Sequence, residues 1–216
     1  MQDGTENSTR NLLVGIYASL IVLAILIYVI STGGKSVPNQ MDSVHQQPAG
    51  TIKMSLDEAM KLAIQEHQAG RLDKAEEIYR QILTAAPNNP YVLHFLGLVA
   101  FQKGNIEPAY ELIQKAISFN PGQPDFHSNL GNALIKMGRG DEAISAYKEA
   151  LKLDRNHADA LGNLGFALQG KKKYSHAAAC YQEALKINPN HGQVKINYEV
   201  LMKEHPGTVS AKECPR

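Results

Sequence analysis

The chain has 216 residues, and its 22 Lys and Arg against 21 Asp and Glu give a formal net charge of +1. This length suits one domain or two small ones. The near-neutral balance creates no overall field that would attract nucleic acid, so we expect no nucleic-acid partner.

An uncharged apolar segment of nineteen residues, 12–30, follows a short N-terminal tail, residues 1–11. At a rise of about 1.5 Å per residue, a helix of this length nearly spans the ~30 Å hydrocarbon core of a bilayer. A cleaved signal peptide is the alternative, but the tail is not basic and no A-x-A site follows the segment. The pattern therefore predicts an uncleaved, single-pass transmembrane helix.

The sequence leaves the orientation of this anchor open. Arg10 precedes it and Lys35 follows it, so the count of flanking positive charges does not decide between a cytoplasmic and a periplasmic domain. Residues 31–54 are rich in Gly, Ser, Pro, Gln and Asn and predict a flexible linker.

From Leu56 onward the sequence repeats every 34 residues. Four units align without a gap: 56–89, 90–123, 124–157 and 158–191. They share a leucine column, a small-residue column, an alanine column and a large apolar column. The members are Leu62, Leu96, Leu130 and Leu164; Ala63, Gly97, Gly131 and Gly165; Ala75, Ala109, Ala143 and Ala177; and Tyr79, Ile113, Tyr147 and Tyr181. A repeat of this length predicts two antiparallel helices per unit.

Helix starts and turns are marked within the units. Ser55 and Glu58 have the spacing of a capping box, and Asn89 before Pro90 predicts an N-cap followed by a first-turn proline. The second helices are expected to start at Asp73, Asp141 and Ser175, and Pro108 is allowed as the first residue of the remaining one. Gly70, Gly104 and Gly138 stand at the turns between paired helices, and Lys172 takes that place in the fourth unit.

This pattern resembles the tetratricopeptide repeat (TPR) family over residues 56–190. The resemblance implies an all-α solenoid, a right-handed superhelix of helix pairs whose concave face is lined by the first helix of each unit. It also implies binding of proteins or peptides rather than catalysis. Residues 192–205 continue the repeat and are expected to form a capping helix. Residues 206–216 are expected to be a flexible tail.

Three asparagines occupy equivalent positions in successive units, namely Asn129, Asn163 and Asn197. They should form a row along the concave face, broadened by Asn132 about one turn on. A similar row in the superhelix of O-linked N-acetylglucosamine transferases holds an extended peptide by its backbone. An amide both donates and accepts, so it can pair with a peptide unit. The alternative is that these amides satisfy neighbouring helices.

The first half of the same face carries apolar and aromatic side chains instead. Tyr91, His94, Leu98 and Phe101 would form a patch suited to a hydrophobic anchor of a partner. The alternative is that these residues belong to the core.

The sequence lacks the motifs of several other binding and catalytic functions. The basic clamp with which some TPR domains grip a chaperone's C-terminal carboxylate is replaced by Met60, Ile64, Asp125 and Asn129. There is no phosphate loop, G-x-S-x-G or H-E-x-x-H motif, so we expect no enzyme, cofactor or metal site. Cys180 and Cys214 form neither a C-x-x-C motif nor a Cys/His frame. We expect a buried small residue and a tail thiol, which leave the compartment open.

The combined pattern predicts a membrane-tethered TPR scaffold that binds partner proteins or peptides in its groove. Bacterial envelope assembly factors and magnetosome scaffold proteins are candidates by resemblance. The alternative is a periplasmic, chaperone-like accessory of protein translocation or cytochrome c assembly. Because an uncapped solenoid end exposes apolar surface, self-association is a further hypothesis.

Overall fold

The computed structural model describes residues 54–216. The predicted N-terminal tail, the predicted anchor and the predicted linker up to residue 53 lie outside this part of the chain. Within it there are nine α-helices and no strand: α1 (Leu56–Gln68), α2 (Leu72–Ala85), α3 (Pro90–Gln102), α4 (Ile106–Phe119), α5 (Pro124–Lys136), α6 (Gly140–Leu153), α7 (Ala158–Gly170), α8 (Tyr174–Ile187) and α9 (Gly192–Glu204). The all-α prediction is therefore confirmed for residues 54–216. None of the nine helices is long and apolar enough to cross a bilayer.

The helices pack as a stack of helical hairpins. The pairs are α1 with α2, α3 with α4, α5 with α6 and α7 with α8, and each pair contacts the first helix of the next. Alternate helices also touch, because α5 contacts α3 and α7, and α7 contacts α9. The first helices of successive units therefore lie side by side and share one face of the stack.

The turn inside each hairpin requires a left-handed backbone at one residue. Gly70, Gly104 and Gly138 have φ of 74°, 83° and 75°, and Lys172 has φ of 59°, as the sequence predicts. The second helices begin one or two residues before their expected starts, and none has a side-chain N-cap. The reason is that the turn backbone bonds back to the first helix, as Arg71 N donates to Glu66 O at 2.9 Å. This bond fixes the start of the second helix without a capping side chain.

The two first-helix caps are as predicted. Ser55 Oγ accepts from Glu58 N while Glu58 Oε2 accepts from Ser55 N, which completes the capping box before α1. Asn89 Oδ1 accepts from the backbone N–H of Tyr91 and Val92 before α3. These bonds satisfy N–H groups that a helix N-terminus otherwise leaves unpaired.

Close packing inside each hairpin depends on the small-residue column. A Cβ added to Gly131 would lie 2.4 Å from Tyr147 Cε1, and one added to Gly165 would lie 2.7 Å from Tyr181 Cε1. Both tyrosines are almost fully buried. The glycines therefore make the space that the aromatic ring of the paired helix fills.

Two histidines connect neighbouring units by the same pair of hydrogen bonds. His157 Nδ1 accepts from Ala160 N at 3.3 Å, and its Nε2 donates to Asp125 Oδ1 at 2.9 Å. His191 repeats the arrangement, with Nε2 2.7 Å from Asp159 Oδ1. Each imidazole therefore caps its own helix and holds it against the preceding first helix.

The C-terminal segment corrects two expectations. Cys180 and Cys214 form a disulfide with their Cα atoms 4.6 Å apart, so Cys214 is not a tail thiol. Residues 206–216, expected to be flexible, instead lie against α8, where Ala211 N donates to Ser175 O at 2.9 Å. The pairing was missed because it depends on the return of the tail across α8, which cysteine spacing does not encode.

Candidate functional site

A concave pocket of about 340 Å³ lies on the face shared by the first helices. It is bounded by α3, α5, α7 and α9. Four of the residues predicted for a binding groove line it: Phe101, Asn132, Asn163 and Asn197. The pocket thus gathers side chains from three successive units and from α9 into one site.

Five further residues line this pocket and were not predicted: Ile135, Lys136, Tyr147, Phe166 and Gln193. Phe166 was detectable, because it lies 34 residues after Asn132 and so occupies the equivalent position in the next unit. Tyr147 belongs to the large apolar column of the repeats, and its side chain is 1% exposed. Its hydroxyl nevertheless reaches the pocket wall by bonding to Asn132.

A directed series of hydrogen bonds leads from Tyr147 and Asn132, which line the pocket, through Asn129 to His94 in the core. Tyr147 Oη donates to Asn132 Oδ1 at 2.9 Å, and Asn132 Nδ2 donates to Asn129 Oδ1 at 3.3 Å. Asn129 Nδ2 then lies 3.0 Å from His94 Nε2. The amide nitrogen can only donate, so His94 Nε2 is the acceptor and the imidazole is neutral. The amides of Asn129 and Asn132 are thus engaged within the protein.

The surroundings of His94 favour its role as the final acceptor in this series of hydrogen bonds. It is 5% exposed, and its ring stacks on Phe126 with centroids 4.4 Å apart. Burial lowers the pKa of His94 to about 4, although the nearby Asp125 carboxylate acts in the opposite direction. His94 therefore remains neutral at physiological pH and can accept the Asn129 hydrogen bond.

The other two rungs of the asparagine row differ from the first. Asn197 Oδ1 accepts from Gln193 Nε2 at 2.9 Å on α9. Asn163 is half-buried in the pocket wall, and its side chain makes no hydrogen bond within residues 54–216. Asn163 is thus the residue of the row whose side-chain donor and acceptor are both available to a ligand.

The predicted aromatic patch divides between surface, core and pocket. Tyr91 is 45% exposed and touches Phe126 edge-on at a centroid distance of 5.8 Å. His94 lies in the core, Leu98 is half-buried, and Phe101 lines the pocket. The burial of His94 places it behind the surface rather than on the face where a partner's side chain would dock.

The pocket combines an apolar surface with amide groups. Phe166 is 51% exposed despite its aromatic ring, and Phe101 lies across the same pocket. Lys136 is the one charged side chain among the described residues that line it. No set of three His, Cys, Asp or Glu residues in 54–216 is placed to hold a metal ion. This arrangement suits binding of a large apolar side chain together with peptide groups.

Two family models match the repeat region. A model described as tetratricopeptide repeat matches residues 125–190, and one described as anaphase-promoting complex, cyclosome, subunit 3 matches residues 68–150. No curated protein matches the chain. The sequence matches support the TPR resemblance of the repeats.

Solved structures show the same fold. The crystal structure of MamA is 23% identical over 68% of this chain and 81% of that chain, with a TM-score of 0.59. An O-GlcNAc transferase of Thermobaculum terrenum is 26% identical, with a TM-score of 0.58, over 61% of this chain but only 26% of its own. The first TPR of Spaghetti (RPAP3), bound to an HSP90 peptide, is 21% identical over 55% of this chain and 94% of its own, with a TM-score of 0.53. Residues 54–216 thus have the fold of a TPR solenoid.

Proposed function

We propose that this TPR-type solenoid is a protein-interaction module that holds an extended segment of a partner protein in the pocket between α3 and α9. The observation that carries the proposal is the open amide of Asn163 beside the half-exposed ring of Phe166. An extended peptide needs both a donor and an acceptor for its backbone, and one amide supplies both. The aromatic walls would take one of its apolar side chains.

The similar proteins give independent support for a binding role. One structural neighbour was solved with a bound HSP90 peptide, and one matching family model describes a subunit of a multiprotein complex. A TPR fold hosts function through its groove residues rather than through the fold itself. The specific partner must therefore be identified from the pocket, and not from these neighbours.

The direct test uses the full chain and peptides selected against it from a random library. Asn163→Ala should weaken the selected peptides about tenfold, because it removes hydrogen bonds worth roughly 1 kcal/mol each. Phe166→Ala should weaken them at least as much. Asn156→Ala is the matched control, since Asn156 is exposed in the loop before α7, away from the pocket. Equal affinity for the Asn163→Ala and Asn156→Ala variants would reject the proposed site.

We further propose that the module is tethered to a membrane by residues 12–30 and organises a membrane-associated complex. The support is the uncharged length of that segment and the linker composition that follows it. Carbonate extraction of isolated membranes tests the tether, because an anchored chain stays in the membrane pellet. Release of the chain by carbonate would contradict it.

One observation favours the periplasmic accessory factor as a second candidate. Cys180 and Cys214 are paired, and structural disulfides form and persist in oxidising compartments. We therefore place the solenoid on the oxidising side of the membrane in this proposal. Rapid acid quenching of intact cells, followed by alkylation, should recover the cysteines in the disulfide form. Recovery as free thiols would favour a cytoplasmic scaffold instead.

A further inference from the structure

One face of α8 differs from the same face of the other second helices. Ala179 occupies the position held at 34-residue intervals by Glu77, Glu111 and Ser145. Those three side chains are exposed to solvent on α2, α4 and α6, whereas Ala179 is 3% exposed. The residues before and after it, Ala178 and Cys180, are also buried. At the position of Ala179, α8 therefore has a small, buried, apolar residue where the other three second helices have an exposed polar one.

The C-terminal segment, residues 206–216, lies along α8, and we call it the strap. Ala211 N donates to Ser175 O at 2.9 Å near the start of α8. Cys214 N donates to Glu183 Oε1 at 2.8 Å farther along, and the Arg216 guanidinium also pairs with Glu183. Between these contacts lies the disulfide, with Cys214 only 5% exposed. The strap is held at three places along one helix.

The last helix has no paired second helix within the described residues. Glu199 occupies the position where Gly97, Gly131 and Gly165 make room for the apolar side chain of a partner helix. The helix α9 is therefore not shaped to receive a partner of the usual kind. The strap that follows it instead takes a place against α8, and His205 stacks on Tyr174 with ring centroids 3.7 Å apart.

The disulfide links residues 34 apart and encloses α9 within that covalent loop. The same helix carries Gln193 and Asn197, which form the C-terminal wall of the pocket. A bond that fixes the end of the strap to α8 also limits how far α9 can move from it. The cap and the binding pocket are thus connected through a single helix.

We propose that the strap is a disulfide-locked cap, and that its release by thiol–disulfide exchange loosens α9 and opens the C-terminal wall of the pocket. In this step the disulfide accepts two electrons and two protons to become two thiols. A dithiol supplies them and is oxidised to its own disulfide. The capping role is independent of the proposed function, whereas the effect on the pocket wall rests on it.

Hydrogen exchange of the full chain tests the proposal without any ligand. Backbone amides of α9, Ala211 and Cys214 should exchange at least tenfold faster after reduction by dithiothreitol than in the oxidised chain. The Cys180→Ser, Cys214→Ser double variant should behave like the reduced chain. Amides of α1 to α6 should stay within twofold. Unchanged exchange in α9 on reduction would overturn the proposal.

A second pair of variants tests the α8 face with the disulfide intact. Ala179→Glu places a carboxylate under the strap and should speed exchange of the Ala211 amide at least tenfold. Ser145→Glu makes the equivalent change on the exposed face of α6 and should leave that amide unaffected. Equal exchange in the two variants would show that the strap does not depend on this face. Because no peptide is present, failure of the peptide-binding proposal would not alter either result.

Discussion

The buried tyrosines of the repeats provide a matched test of hydrogen bonding in the core. Tyr79 and Tyr147 occupy the same position in the first and third units and are 0% and 1% exposed. Tyr147 Oη donates to Asn132 at 2.9 Å, whereas Tyr79 Oη has no hydrogen-bond partner within residues 54–216. The residue at the Asn132 position of the first unit is Ile64, which cannot accept a hydrogen bond.

Replacement of each tyrosine by phenylalanine should therefore have opposite effects. Tyr79→Phe removes a hydroxyl whose burial without a hydrogen-bond partner costs about 1–3 kcal/mol. Because the substitution also removes some packing contacts, we expect the free energy of unfolding to rise by about 1 kcal/mol. Tyr147→Phe removes one hydrogen bond and leaves Asn132 Oδ1 without its donor, so we expect a loss of about 1 kcal/mol. Burial of the Tyr79 hydroxyl causes this penalty, and the same burial raises the pKa of Tyr79 to about 12.

Native-state hydrogen exchange is the suitable assay, because solenoid stability is distributed among units and one global value does not describe it. Amides of α2 should exchange about fivefold more slowly in Tyr79→Phe, and those of α6 about fivefold faster in Tyr147→Phe. Loss of protection in α2 would refute the reasoning, because it would mean that the Tyr79 hydroxyl is stabilising. An ordered water bound to that hydroxyl would produce such a result.

Three further predictions concern single side chains of the stack. Because the pKa of His94 is lowered to about 4 in the folded chain, the unfolded chain binds a proton first as the pH falls below about 6.5. Protection of α3 and α5 amides should thus fall between pH 6.5 and 4, by up to roughly 3 kcal/mol, and His94→Gln should remove most of that dependence. Lys172 has a left-handed backbone with φ of 59°, which strains a residue that has a Cβ. Lys172→Gly removes this strain and should increase the protection of α8 amides by about 1 kcal/mol; unchanged exchange would contradict this. Gly131→Ala pushes a methyl group to 2.4 Å from the Tyr147 ring and should lower the stability of the α5–α6 hairpin by about 1–3 kcal/mol, measured in the same way. Wild-type protection in that variant would show that the two helices can separate without cost.

Local signals in the sequence were sufficient for the backbone of the repeats. Ser55 and Asn89 cap helices because a short polar side chain can reach the first free N–H groups, and this depends only on neighbouring residues. Gly70 and its equivalents lie at left-handed turns for a similarly local reason. The spacing of 34 residues then places the first helices in register.

Interactions between units were harder to predict because they depend on what each unit places opposite the other. The three asparagines are equivalent in sequence, yet Asn129 bonds to His94 of the preceding unit, whereas Asn197 bonds to Gln193 on its own helix. Their neighbours differ between units, so repeat equivalence predicts the position of an amide but not its partner. The disulfide was not predicted for a similar reason, since it requires residues after the last repeat to return to α8.

The covalent loop around α9 also determines how the chain would carry mechanical load. A pull applied at the C-terminus reaches Cys214 first and passes through the disulfide to Cys180 on α8. The helix α9 lies on the longer branch between those two cysteines and would therefore bear almost none of the tension. With the disulfide reduced, the same pull would run along the backbone through α9 and tend to peel it from the stack. In the oxidised chain, α9 can thus stay packed on the stack under a force that would unfold the reduced chain from its C-terminal end.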